Sequence, residues 1–155
     1  MKTLFRVIFC LLLAVIVATA AIAEEEYSYI RFGDYGFPLQ QLFSAIGYSD
    51  VKYTENEEAI FDEQVLEYLE SYQMEAGLSI SGVFDCETMR RALNVDGYSS
   101  ELEIVWIPMH GGKKYHGNQD CSSMYEPRQI PLKCAEVLGF DFCKRCYKKP
   151  PPAAG

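Results

Sequence analysis

Four side chains able to bind a soft or borderline metal ion fall in the last third of the chain: His116, Cys121, Cys143 and Cys146. Cys143-x-x-Cys146 lets two thiolates converge on one ion from a single tight turn. His116 and Cys121, five residues apart after a hairpin, can supply the other two ligands of a tetrahedral site. The surrounding segment is too small to fold on a hydrophobic core alone, so it needs a staple. Disulfides would serve the same end. In that arrangement Cys134 is the fourth thiol and His116 a surface histidine. The spacing places structural zinc ahead, and no other cofactor is expected.

Other chemistry is less well provided for. The chain has only two histidines, His110 and His116, both in one short stretch. A Cys121–His116 pair could form a hydrolytic dyad, but nothing marks Cys121 as a lone reactive thiol with an oxyanion partner. Glu63, Glu67 and Glu70 share the outer face of a helix, where solvation explains them better than glycan cleavage does. No phosphate-cradling glycine loop is present. No catalytic residue is therefore assigned, and an enzyme is the less favoured reading.

The elements that must position these residues begin after a leader. Lys2 and Arg6 precede an uncharged apolar run over residues 7–22, and Ala21-Ile22-Ala23 then gives a small-x-small site before Glu24. This is the layout of a secretory signal over residues 1–23, cleaved near Ala23, and it implies no stable membrane anchor. Export leaves five cysteines, an odd number that cannot all pair internally; Cys86 reads as the spare. The remaining charge is uneven. Residues 24–105 carry 18 acidic and four basic side chains, net -14, whereas residues 106–155 are net +4. The acidic body argues against nucleic-acid binding. The change of sign predicts a boundary near residues 99–103, between a helical domain (27–96) and a His/Cys module (103–147). Residues 148–155 read as a disordered, proline-rich tail.

In the first domain Gly33-Asp34-Tyr35-Gly36 is a turn, and Pro38 suits the first turn of a helix. Leu39, Leu42, Phe43 and Ile46 then share one helical face. A second helix covers residues 61–76 on Val65, Leu69, Tyr72 and Ala76, and Gly77 closes it. Asp85 is a good N-cap for a third, with Cys86, Met89 and Leu93 on one side. The fold class expected is mainly α: a small three-helix bundle, followed by a small α+β cysteine-containing module. In that module residues 104–109 form a strand, Gly111-Gly112 turns it towards His116, and residues 131–138 form a short helix.

Phe32-Gly33-Asp34-Tyr35-Gly36, then Leu39-Gln40-Gln41-Leu42 and Gly47-Tyr48, resemble the opening of a peptidoglycan-binding-like domain. Val65-Leu66-Glu67-Tyr68-Leu69 with Tyr72-Gln73 is similar to its central helix. The run from Gly77 to Asp85, with Thr88 and Leu93, is similar to its closing turn and helix. Val105-Trp106-Ile107-Pro108, Lys114-Tyr115-His116, Cys121, Pro127-Arg128-Gln129 and Cys143-Lys144-Arg145-Cys146 resemble a short His/Cys module at the ends of bacterial secreted proteins. The first resemblance implies peptidoglycan or another cell-envelope component as partner. Tyrosine rings near the first helix could stack on sugars, which singles out Asp34, Tyr35 and Tyr48 as ligand contacts. Tyr35 and Tyr48 serve equally well to cover a thin core. The function expected is a noncatalytic secreted or cell-wall-associated binding protein. The alternatives are a protein-interaction scaffold that binds no glycan and an accessory part of a cell-wall hydrolase system.

Overall fold

The computed structural model describes residues 27–95 and 103–149; the apolar leader and residues 150–155 of the tail lie outside them. Among the described residues no helix is long and apolar enough to cross a membrane.

The first helix, α1 (Phe37–Ala45), has Pro38 in its opening turn and buries Leu39, Leu42 and Phe43. Helix α2 (Glu63–Glu75) starts at Asp62, whose carboxylate accepts the amides of Gln64 and Val65. Those amides would otherwise lack partners. Helix α3 (Cys86–Ala92) starts in the same way at Asp85, which accepts the Thr88 amide at 2.8 Å. Glu63, Glu67 and Glu70 are exposed, and Val65 and Leu69 are buried on the opposite side. Leu42 and Leu69 are both fully buried. Truncating either to alanine is expected to cost about 2–5 kcal/mol, whereas Glu67→Ala should change stability by less than about 0.5 kcal/mol. Chemical denaturation of the three variants checks this; a large loss at Glu67 would mean the helix is rotated.

The expectation of a mainly-α three-helix bundle followed by a separate α+β module is overturned. The architecture is continuous and mixed α+β, with strands interleaved among the helices. Strand β1 (Ile30–Arg31) pairs antiparallel with β4 (Val83–Phe84), and β2 (Tyr35–Gly36) with β3 (Ala59–Ile60). These ladders are two residues long, too short to leave an alternating pattern in the sequence. Strand β5 (Ile104–Ile107) pairs antiparallel with β7 (Arg128–Pro131), which leads directly into α4 (Leu132–Val137). Strand β6 (Lys114–Tyr115) runs parallel to β8 (Asp141–Phe142).

One hydrophobic cluster runs through both halves, from Ile30, Phe43, Phe61 and Phe84 to Val105, Ile107, Ile130 and Leu138. The halves are joined by specific polar contacts as well. Ser28 and Gln129 exchange two hydrogen bonds, the Ser28 amide to Gln129 Oε1 at 2.8 Å and the Gln129 amide to the Ser28 carbonyl at 2.9 Å. Gly36 packs so tightly on the Met109 backbone that a Cβ there would collide with the Met109 carbonyl oxygen; its φ of 152° also disfavours any other residue. Within the first half, buried Gln73 joins α2 to β4 and α3. Its amide donates to the Val83 carbonyl at 3.0 Å and to Thr88 Oγ1 at 2.9 Å, and its oxygen accepts the Ser81 and Gly82 amides.

Candidate metal centre

His116, Cys121, Cys143 and Cys146 come together as one group, with their ligand atoms all within 4.8 Å of one another. The small sheets explain how. The parallel β6–β8 pairing sets Tyr115 opposite Phe142, so the next residue of each strand, His116 and Cys143, leaves the ladder side by side. The Cys143 amide continues that pairing by donating to the Tyr115 carbonyl at 3.0 Å. On its other side His116 is clamped by two backbone bonds to Trp106, at 2.7 and 2.8 Å. The Cys143–Cys146 turn closes as the amides of Cys146 and Tyr147 donate to the Cys143 carbonyl. Cys121 arrives from the loop before β7, where Ser122 and Ser123 take left-handed backbone angles (φ 72° and 49°). Such angles are unfavourable for residues with a Cβ and are held only when the surroundings fix them.

The spacing suits an ion better than a covalent bond. Cys121 Sγ and Cys143 Sγ lie 3.8 Å apart, and Cys146 Sγ lies 4.0 Å from His116 Nδ1. A disulfide needs about 2.05 Å between sulfurs. Thiolates at about 2.3 Å from a tetrahedral zinc are separated by about 3.8 Å. All three of these cysteines are free. His116 and Cys143 are buried, and Cys121 and Cys146 are half-buried.

The electrostatics favour the ligand forms at two of the four positions. Burial alone would raise the Cys143 thiol. The backbone amides of Cys146 and Arg145, with the Cys121 and Cys146 thiols, outweigh it and hold Cys143 below its ordinary value. Burial, helped by Lys114, lowers His116, which keeps the imidazole neutral and its lone pair available. Cys146 is pushed up, first by burial and then by the neighbouring thiols, although the Gly117 amide opposes this. Crowded thiols that resist ionising together are what a cation relieves.

Cys134 stands apart from this group. It is fully buried on α4, and burial followed by the Cys86 thiol pushes it up to about 12. It is therefore inert among the hydrophobic residues of the core.

The three residues expected to contact a ligand are separated by role. Asp34 is buried, and its carboxylate is gripped by the Arg128 guanidinium, with Nε to Oδ2 at 2.8 Å and Nη2 to Oδ1 at 2.5 Å. It also accepts the Arg31 amide. Tyr35 is half-buried with its ring 4.5 Å from that of His110, and Tyr48 lies edge-on to Phe43 and Tyr68.

Two features had no signal in the sequence. One is the Asp34–Arg128 pair, which joins residues 94 apart. The other surrounds His110, whose Nδ1 is 2.8 Å from Glu58 Oε1, and so carries the hydrogen because a carboxylate only accepts. Its Nε2 is buried without a hydrogen-bond partner, 3.7 Å from Glu126. Tyr125, 61% exposed, covers the ring at 5.6 Å. No spacing rule connects Glu58 to a histidine 52 residues later.

Comparison with protein-family models, curated proteins and solved structures gives no match to this chain. Any assignment must therefore be argued from the site itself.

Proposed function

We propose that the chain is a noncatalytic binding protein of the cell envelope whose second half is stapled by one structural zinc ion. The observation that carries the zinc staple is the convergence of His116, Cys121, Cys143 and Cys146 within 4.8 Å. Three thiolates and an imidazole suit zinc, and four protein ligands complete a tetrahedron with no position left for water or substrate. That is the pattern of structural sites, whereas catalytic zinc keeps one position open. His116, Cys121, Cys143 and Cys146 would hold the ion, fixing the Cys121 loop and the Cys143–Cys146 turn to β6.

Support for an envelope location is the export-signal layout of residues 1–23. For a peptidoglycan partner it is the resemblance of residues 30–93 to a peptidoglycan-binding-like domain. On this reading Tyr35 and Tyr48 contact the ligand, and Asp34, committed to Arg128, positions the turn that presents Tyr35.

Two measurements test the two parts. Elemental analysis of protein purified without a chelating tag should find close to one zinc per chain, lost in Cys143→Ser; metal-free protein would overturn the staple. Purified insoluble peptidoglycan should retain the chain, and the Tyr35→Ala/Tyr48→Ala double variant should be retained at least about tenfold less. A loss of that size equals about 1.4 kcal/mol of binding energy, which two stacked rings can provide. Absence of retention at every salt concentration would overturn the peptidoglycan assignment and favour the scaffold.

A further inference from the structure

Among the described residues, Nε2 of His110 is the only buried side-chain nitrogen or oxygen without a hydrogen-bond partner. Leaving such an atom unpaired is costly, and the ring that carries it is fixed from several sides. Gly36 packs on the backbone of Met109, the preceding residue, and the Tyr35 ring lies 4.5 Å from the imidazole. Glu58 Oε1 accepts the Nδ1 hydrogen at 2.8 Å. Glu58 is held in turn by Thr54, whose amide donates to the Glu58 carbonyl at 2.9 Å and whose hydroxyl accepts the Glu58 amide at 3.2 Å. With its hydrogen on Nδ1, the ring offers a lone pair at Nε2, and Glu126 Oε2 is 3.7 Å from that atom. Two acceptors therefore face one another. Glu126 stands two residues before β7 in a left-handed backbone conformation (φ 46°), which persists only where the surroundings impose it.

The 3.7 Å separation decides what can lie between them. A second hydrogen on the ring would not resolve the contact, because that distance is too long for a hydrogen bond. A water oxygen or an ammonium nitrogen needs about 2.8–2.9 Å to each acceptor, which sets it about 2 Å to one side of the line joining them. Nε2 is closed to any species of that size. A divalent ion at about 2.0–2.2 Å from each atom lies only about 1 Å off the line, in the gap itself.

We propose that His110 Nε2 and Glu126 Oε2 form a second metal site, for a divalent ion of the zinc class, with Glu58 as the outer carboxylate that orients the imidazole. A metal-binding histidine characteristically gives its other ring hydrogen to a carboxylate, as His110 gives Nδ1–H to Glu58. Only two ligands come from the protein, so the remaining positions belong to water or to an oxygen of a bound ligand. The Glu126 side chain is 41% exposed, and the ion enters and completes its shell from that side. This site is open where the cysteine group is closed. Two protein ligands hold an ion less tightly than four, so purified protein keeps the staple zinc and loses this one. Bound, the ion would add the loop end at Glu126 to the Glu58–His110 contact between the two halves.

The proposal does not depend on the cysteine staple, and the test separates them. The full chain is dialysed against metal-free buffer, its zinc content is measured, and zinc is then titrated in by calorimetry. The parent should take up one equivalent beyond its purified content. His110→Ala and Glu126→Gln should each weaken that uptake at least about tenfold without changing the purified content, and Glu58→Gln should weaken it about 10–100-fold. Glu126→Gln alters an exposed side chain, so the result does not hang on the folding of His110→Ala. Protein that is metal-free as purified, yet takes up an equivalent lost in His110→Ala and Glu126→Gln, would support this site while removing the staple. No uptake beyond the purified content would overturn the proposal. So would equal uptake by the parent and both ligand variants, which would show adventitious binding to surface carboxylates or the spare thiols.

Discussion

A high-affinity zinc chelator is expected to abolish the cooperative thermal transition of the chain, or to lower its midpoint by more than about 15 °C. Within residues 103–149 the loop that carries Cys121 has the least to hold it in place. Strands β6 and β8 contribute two residues each, and the 117–127 loop between β6 and β7 has no helix or ladder of its own. Cys121 in that loop would be joined to His116 and to the Cys143–Cys146 turn through the ion, whereas Cys143 is already tied to β6 by its amide bond to the Tyr115 carbonyl. Structural zinc contributes about 10–16 kcal/mol in small metal-dependent domains, as much as or more than the whole stability of an ordinary domain. Removing it also leaves the three thiols and the imidazole, grouped within 4.8 Å, with no ion to hold them together. Cys143→Ser should reproduce the effect, whereas Cys134→Ser should leave the zinc content unchanged because Cys134 lies outside the group. Calorimetry with and without chelator, followed by re-addition of zinc, provides the check. An unchanged transition in protein shown to be metal-free would refute the staple.

The grouping of His116, Cys121, Cys143 and Cys146 was legible in the sequence because its strongest element is local. A Cys-x-x-Cys turn declares itself within four residues. The route by which His116 reaches that turn was not legible. It depends on a parallel pairing of two-residue strands, and Lys114-Tyr115 and Asp141-Phe142 are too short to show an alternating pattern. The helices were readable for the opposite reason. Leu39, Leu42, Phe43 and Ile46, or Val65 and Leu69, repeat often enough to define a face, and Asp85 announces the start of α3 through its side chain. The interleaved architecture was hidden because its contacts are long-range. Met109 lies against Gly36, and His110 is bonded to Glu58. The change of charge sign near residue 103 records surface composition, which says nothing about whether the two cores merge.

Replacing Arg128 with alanine is expected to destabilise the chain by about 3–5 kcal/mol, a large loss for a single side chain outside the hydrophobic core. Asp34 is 6% exposed, and the side chain of Arg128 is 14% exposed. Two parallel hydrogen bonds join them, the arrangement in which a guanidinium matches a carboxylate best. Contact with the Asp34 carboxylate, outweighing the effect of burial, raises Arg128 further above its already high ordinary value, so it stays charged at any pH where the protein folds. Removing one partner strands the other charge away from water, which costs far more than the net worth of the intact pair. Arg128→Lys should recover only part of the loss, since an ammonium cannot supply the two parallel donors. Asp34→Leu combined with Arg128→Met should be more stable than Arg128→Ala alone, because no isolated charge remains. Urea unfolding measures all three, and a loss of 3–5 kcal/mol corresponds to a midpoint lower by about 1–3 M. The zinc content of Arg128→Ala, measured where the variant is still folded, should match the parent, because Arg128 lies outside the ligand group. The pair joins the turn before α1 to the start of β7, so a loss below about 1 kcal/mol would mean that the apolar contacts and the Ser28–Gln129 and Glu58–His110 bonds hold the two halves without it.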